Sequence, residues 1–304
     1  MSERPLALAI GQVGLEIACR VPSTADTSGP VEMDEISIQV CGSAAIAAAS
    51  AAALGCRARL ACKLAGDFLG HTARTALTGF GVELSCVVDQ RGQLSPLRFG
   101  ALSAPGRRAI FTTRGDVEPL CAADVDPDEL LPDAGAALVD GTCPSAQIRV
   151  AEAAARRQVP VLFDGGHIGD GVGTLVGLSD VLICSERLAS ELAPRDDLEA
   201  SLAEIQRLGP RAVIITLGEA GSIGLHGDQL VRQPSFQVDQ VDPSGAGSVY
   251  HGAFAAALLA QLPFASCMAF ASAAAALSCR RLGSFAGIPR REEVVSLLRA
   301  RPPA

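Results

Sequence analysis

Hydrophobic and polar positions alternate along this chain in two rhythms, and the switch between them outlines the fold. Residues 6–14 form a short apolar run ending in glycine, the pattern of a buried first strand. Ile36, Ile38 and Val40 then alternate with Ser37 and Gln39, the period of a strand with one wet face. After the Cys41-Gly42-Ser43 turn, residues 44–54 read as an Ala-rich helix stopped by Gly55. Residues 57–64 predict the next strand, which leads through Gly66-Asp67-Phe68-Leu69-Gly70 into a helix ending near Leu77. Between residues 93 and 113 short alternating strands return, at 97–101 and 108–112, separated by Pro105-Gly106.

Beyond Asp133 the two rhythms alternate regularly. Strands are expected at 136–140, 159–164, 181–184 and 212–217, and helices at 145–157 and 198–208. Strands alternating with helices require right-handed crossovers and a mainly parallel sheet covered on both faces. The expectation is an α/β protein of three layers, α/β/α. It forms one domain over residues 1–304, with a small β lid built from segments near 15–40 and 93–113.

Composition narrows the function classes. Hydrophobic residues make up 49% of 304, enough for a large core, and a net charge of −8 with no basic run argues against a nucleic-acid partner. The ten Cys and four His are scattered without metal-ligand spacing, so the cysteines read as small buried hydrophobes in a reducing compartment. Residues 6–10 are too short for a secretory leader. The apolar stretches at 44–54 and 252–279 are respectively too short and interrupted by Gln261 and Pro263, so neither reads as a membrane span. A cytoplasmic protein without a membrane partner is expected. The run Gly165-Gly166-His167-Ile168-Gly169-Asp170-Gly171 lacks the Gly-Lys-Ser/Thr of a phosphate loop and reads as a connection.

The candidate chemistry lies in Val241-Asp242-Pro243-Ser244-Gly245-Ala246-Gly247-Ser248, which opens a long small-residue helix. A Gly-Ala-Gly turn at a helix start bares several backbone N–H groups to one point, with the helix dipole behind them, and so can receive phosphate charge. On loop chemistry alone a tight turn before a core helix is an equally good reading.

The segment resembles the D-[TS]-x-G-A-G-D signature of the ribokinase-like (PfkB) carbohydrate kinases. Four further stretches resemble that family's motifs in the same order: Gly42 with the Ala-rich helix ending Leu54-Gly55; Gly66-Asp67-Phe68-Leu69-Gly70; Thr216-Leu217-Gly218-Glu219-Ala220-Gly221; and Ala286-Gly287-Ile288-Pro289. Within the family, Leu162-Phe163-Asp164-Gly165-Gly166 and Val249-Tyr250-His251-Gly252-Ala253 are similar to sulfofructose kinase-like members. The resemblance implies ATP-dependent phosphorylation of a sugar hydroxyl, with Mg2+, in some relatives a monovalent cation, and a homodimer formed through the β lid. It places Gly245, Ala246 and Gly247 at the anion hole and Thr216, Gly218, Gly221 and Ser185 at the nucleotide. Glu16, Gly42 and Asp242 fall at the sugar, with Arg98 and Arg114 on the lid as candidates for an anionic substituent.

One departure bears on the chemistry. The family's last motif position holds an Asp that takes the proton of the attacking hydroxyl, and here it is Ser248. A hydroxyl is too weakly basic to replace a carboxylate, and losing a general base costs about 10²–10⁴ in rate. His251, one turn along the helix, and Asp242 are the substitutes the sequence offers. Further departures are Ser185 where the family has Asn, Cys41 in the first Gly-Gly turn and Glu16 at the sugar-side Asp. Three readings therefore stand: a sugar kinase, a catalytically impaired relative that binds nucleotide or sugar as a sensor or partner, and a nucleoside kinase of the same fold. Against the third, no aromatic-rich segment suits base stacking.

Overall fold

The computed structural model describes residues 4–22, 29–103, 107–166, 169–283 and 285–300. The Pro105-Gly106 turn, and His167 and Ile168 of the glycine-rich run, lie outside the described residues. The chain opens with β1 (Leu6–Ile10), then β2 (Gly14–Arg20) and β3 (Glu35–Cys41). It returns through α1 (Ser43–Ala53), β4 (Arg57–Ala65), α2 (Phe68–Gly79), β5 (Val82–Glu83) and β6 (Val87–Gln90). A second excursion, β7 (Leu97–Ser103) and β8 (Arg107–Thr113), precedes α3 (Pro127–Leu130). The alternating half follows as β9 (Ala134–Val139), α4 (Pro144–Arg156), β10 (Val161–Gly165), α5 (Val172–Leu178), β11 (Val181–Ser185), α6 (Glu186–Leu192), α7 (Leu198–Gln206) and β12 (Ala212–Thr216). The hairpin β13 (Ser222–His226) and β14 (Gln229–Gln233) leads to the helices α8 (Ala246–Leu259), α9 (Phe264–Ser278) and α10 (Arg291–Ala300).

The large sheet runs β14-β13-β12-β11-β10-β9-β1-β4-β5, with β6 also on β4. It is parallel except at β13 and β14. Both faces are covered, and strand alternation divides the core in two. Ala7 and Ala9 of β1 and Leu138 of β9 join α1, α8 and α9 on one side, whereas Leu8, Ile10 and Val139 join α4, α5 and α7 on the other. The small side chains on the first side have a structural reason. A Cβ on Gly252 would lie 2.3 Å from the Ala47 carbonyl oxygen, so α1 and α8 touch backbone to backbone.

The first strand is shorter than its apolar run. A Cβ at Gly11 would sit 2.6 Å from both the Ala44 Cβ and Asp140 Oδ2, and here the chain leaves the sheet to begin β2. β2, the edge hairpin β13–β14 and α10 are elements that the apolar periodicity did not announce.

The second sheet, ordered β3-β2-β7-β8, corresponds to the expected lid segments, and its Glu16 and Arg98 line a cavity together with Ser244, Gly245 and Ser248 of the turn before α8. Its register sorts residues by face. Gln39, Glu16, Arg98 and Thr112 pair across the four strands in one row, and Ile38, Ile17, Phe99 and Phe111 form the adjacent row. Adjacent rows point to opposite faces, so one face is polar and the other apolar. Among the described residues no helix is long and apolar enough to cross a membrane.

Candidate active site

The turn before α8 sits between two cavities. The larger, about 710 Å³, is lined by Thr216, Gly218 and Gly221 on one side and by Pro243, Ala246 and Gly247 on the other. The smaller, about 390 Å³, lies beneath the lid and is lined by Glu16, Cys41, Gly42 and Arg98 together with Ser244, Gly245 and Ser248. The helix N-terminus is therefore shared by both.

Its backbone is poised for an anion. Gly245 takes the left-handed conformation (φ 69°) and is the N-cap of α8, which offers no side chain to cap the first turn. Ala246 N donates to the Pro243 carbonyl and Val249 N to that of Gly245, while the amides of Gly247 and Ser248 have no acceptor. Open amides at the positive end of a helix attract negative charge. A Cβ on Gly247 would meet nothing within 4 Å, so packing does not require glycine there. Glycine in a helix costs up to about 1 kcal/mol against alanine, and its retention fits close approach of a ligand to the backbone.

Asp242 holds the turn in shape. Its Oδ1 accepts from the Ser244 amide at 3.0 Å and from the Ser244 hydroxyl, and its Oδ2 accepts from the Gly283 amide at 2.9 Å. Only 1% exposed and committed in this way, Asp242 lines neither cavity. The structure therefore does not bring it to the sugar position, nor free it to act as a base. His251 is likewise withdrawn. Its Nε2 donates to the Leu162 carbonyl at 3.2 Å, and burial lowers its pKa to about 4, so the ring is neutral and turned away from the turn.

The group that does face Ser248 comes from β10. Ser248 Oγ donates to Asp164 Oδ2 at 3.1 Å. Asp164 ends a parallel strand, where side chains of the sheet's carboxyl edge converge. Burial pushes its carboxyl up to about 7, and the Asp140 carboxylate pushes the same way, against the Ser248 hydroxyl and the Gly166 amide. Asp140, at the end of β9, is tied down by the Ala44 amide at 3.1 Å, the Thr142 amide at 3.0 Å and hydroxyl at 2.6 Å, and the Gln147 side chain at 2.8 Å.

On the lid, Arg98 Nε lies 3.0 Å from Glu16 Oε1, but the N–H does not point along that line, and both atoms remain without a hydrogen-bond partner. Burial pushes the Glu16 carboxyl up, Arg98 and Arg108 pull it down, and Asp242 adds to the rise. Gln39 fastens the lid to the body. Its Oε1 accepts from the amides of Phe285 and Ala286 at 3.0 Å each, and its Nε2 donates to Glu16 Oε2 at 3.5 Å. Gly42 (φ 113°) admits no side chain, since a Cβ would lie 2.3 Å from the Gln12 carbonyl oxygen. Arg114 is exposed and does not line the cavity, so of the two lid arginines only Arg98 reaches it.

On the larger side, Thr216 Oγ1 donates to the Cys184 carbonyl at 3.2 Å, and Gly221 (φ 98°) turns the loop after β12. Ser185 pairs in register with Thr216, but its hydroxyl accepts from the Leu188 amide as the cap of α6, and it lines neither cavity. Among the described residues no cluster of three or more His, Cys, Asp or Glu could hold a metal ion. All ten cysteines are free, with Cys41 facing the smaller cavity as a thiol pushed up to about 12 by burial.

Sequence reasoning missed the part played by Asp164, 84 residues from Ser248; its one signal was an Asp ending an apolar strand run. It also missed Tyr250, which lines the larger cavity and whose hydroxyl lies 3.1 Å from that of Ser222.

Comparison with known proteins gives the family and the fold. The model of the pfkB family carbohydrate kinases matches residues 5–291. A ribokinase of Arabidopsis thaliana is 30% identical over 73% of this chain, the match spanning 61% of that protein's length. A nucleoside kinase of Methanothermobacter thermautotrophicus is 24% identical over 97% of this chain and 96% of its own. The solved structure of Arabidopsis thaliana ribokinase complexed with ribose and ATP superposes with a TM-score of 0.85 at 26% identity, covering 99% of this chain and 100% of that one. The fold is ribokinase-like, and the chain belongs to the pfkB family of carbohydrate kinases.

Proposed function

We propose that this protein transfers the terminal phosphoryl group of ATP to a hydroxyl of a small, uncharged sugar. The observation that carries the reading is the α8 N-terminus, whose open amides stand between a nucleotide-sized and a sugar-sized cavity. ATP fits the larger one: Thr216, Gly218 and Gly221 would border it, and the amides of Gly247 and Ser248 would receive phosphate charge. Mg2+ would fit as an ion carried in by the phosphates and water, since among the described residues no cluster of three or more His, Cys, Asp or Glu could hold it. It would supply neutralisation of phosphate charge. Phosphoryl transfer depends mainly on such positioning and electrostatics.

The sugar reading rests on the polar lid face. Glu16 Oε1 and Arg98 Nε are buried and unpartnered, suited to a hydroxyl that accepts from one and donates to the other. The Arg98 charge is already met by Glu16, which favours a neutral sugar over a sulfonated one. The opposite lid face suits a second copy of the chain. Ile38 is 58% and Phe111 65% exposed at the two ends of an apolar row crossing all four strands, and we read it as the dimer surface.

Ser248 favours a second reading, a relative that binds both ligands without turnover. One experiment separates the two. ATP binding is measured by calorimetry, and ADP release is followed with magnesium, ATP and D-ribose, D-fructose, a sulfonated ketose, a sugar acid or adenosine. Turnover by the wild type supports the kinase. Binding without turnover, restored in Ser248→Asp, establishes the non-catalytic relative, and absence of ATP binding overturns both.

A further inference from the structure

The proton of the attacking hydroxyl needs an acceptor that Ser248 alone cannot be. Ser248 is only 7% exposed, yet it lines the cavity beneath the lid, and its hydroxyl points to the Asp164 carboxylate at 3.1 Å. Among the described residues no ion pair engages Asp164, and it caps no helix. A buried carboxylate without a cation is costly to keep, and its partners are the Ser248 hydroxyl and the Gly166 amide. We propose that Ser248 and Asp164 act as a relay in which Asp164 takes up the proton of the substrate hydroxyl through Ser248.

The step balances as follows. The substrate O–H bond breaks and its electron pair forms the new bond to the terminal phosphorus of a nucleoside triphosphate. The bridging P–O bond breaks, and its pair leaves with the nucleoside diphosphate. The hydroxyl proton passes to Ser248 Oγ as the proton of Ser248 passes to Asp164 Oδ2. Asp164 begins as a carboxylate, ends as a carboxylic acid, and returns its proton to water when product leaves. Ser248 is the catalytic residue, because it faces the substrate cavity; Asp164 acts through it.

The surrounding groups leave Asp164 as the one suited to this work. From β9 faces Asp140, which accepts from Ala44, Thr142 and Gln147. From β11 faces Cys184, whose thiol burial pushes up to about 12, and α8 carries the neutral His251. Asp164, raised to about 7 chiefly by burial, can exchange a proton near neutrality.

The relay rests on the kinase reading, so the test separates their failures. The pH dependence of kcat is measured for the wild type, Asp164→Asn, Ser248→Ala and Ser248→Thr, using magnesium, ATP and the best sugar of the panel, with ATP binding followed by calorimetry on each. The wild type is expected to gain rate through a single ionisation near pH 7. Asp164→Asn should lose that limb and about 10²–10⁴ in kcat, while binding ATP within about threefold of wild type. Ser248→Ala should lose kcat similarly, and Ser248→Thr, which keeps a hydroxyl, should keep the limb. If wild type turns over and Asp164→Asn keeps its rate and limb, the relay is wrong and the kinase stands. A variant that loses ATP binding together with rate marks a structural role and also ends the relay. Should Asp164→Asn fail to fold, the limb in wild type and its shift or loss in Ser248→Ala decide, and a flat wild-type profile is a refutation. A wild type that binds ATP but phosphorylates nothing overturns both.

Discussion

Replacing Asp164 with Asn should make the protein more stable at alkaline pH than at acid pH, relative to wild type. The native carboxyl titrates at about 7 because burial and Asp140 oppose its charge, whereas in the unfolded chain an Asp titrates near ~3.9. Between those values the native state binds more protons than the unfolded state, so stability falls as pH rises through the window. The contribution is fully present below about pH 4 and lost above about pH 7. Three units at about 1.36 kcal/mol each give a ceiling on the order of 4 kcal/mol. Asn is nearly isosteric, its carbonyl oxygen can still accept from Ser248, and it does not ionise. The difference in melting temperature, variant minus wild type, should therefore climb between about pH 4 and pH 7 and level off above that. At about 2 °C per kcal/mol for a chain of this size, the full rise is roughly 8 °C. Scanning calorimetry at matched ionic strength reads it directly, because groups remote from Asp164 titrate alike in both proteins and cancel. A difference that stays flat within about 1 °C across the range would refute the account of Asp164 as a carboxyl whose charge is suppressed by burial.

Gly247→Ala should raise thermal stability by up to about 1 kcal/mol, because its Cβ meets open space and alanine is the better helix former; if the ligand approaches this backbone, the same variant should weaken ATP binding in a calorimetric titration. Gly252→Ala should do the reverse, costing about 1–3 kcal/mol in denaturant unfolding through its clash with the Ala47 carbonyl, with no direct effect at the site. Phe111→Asp or Ile38→Asp should shift the protein from dimer to monomer in analytical ultracentrifugation, and a monomeric wild type removes the dimer proposal. Gln39→Ala deletes the acceptor of the buried Phe285 amide and the part-buried Ala286 amide, so it should cost about 1–3 kcal/mol and loosen the lid, read as faster amide exchange in β2 and β3.

The parts of the fold legible in the sequence are those carried by local rhythm. The parallel strands β9 to β12, the Ala-rich α1 and the turn before α8 each show a period or a punctuating glycine within about ten residues. The run read as one strand, residues 6–14, spans β1, the connection and the first residue of β2, and the crowding around Gly11 shows where the chain changes sheets. At the site, the glycine turn was legible because its amides come from consecutive residues. Pairings across long separations were not. Glu16 meets Arg98 only through strand register, and Asp242 reaches Gly283 across 41 residues. A motif match placed Asp242 at the sugar, yet motif identity cannot distinguish a carboxylate that binds ligand from one that holds the turn binding it.

One turn serves two cavities because its residues divide between them. Ser244, Gly245 and Ser248 form one set, and Pro243, Ala246 and Gly247 the other. The first set lines the cavity beneath the lid and the second lines the larger cavity, with the open amides between them. On the proposed function, a side chain at position 248 would face the acceptor hydroxyl in the smaller cavity, while the backbone beside it would be available to the phosphate. The same geometry directs position 248 toward the end of β10, so whatever stands there meets Asp164. With Asp at 248 the two carboxylates would lie within hydrogen-bond distance and share a proton, and the pair rather than either residue would set the pH at which a base is available. With Ser at 248 the charge resides on Asp164 alone. The chemistry of this turn is therefore a property of two strand-and-helix ends brought together by the fold, and a substitution at 248 cannot be judged without the carboxylate behind it.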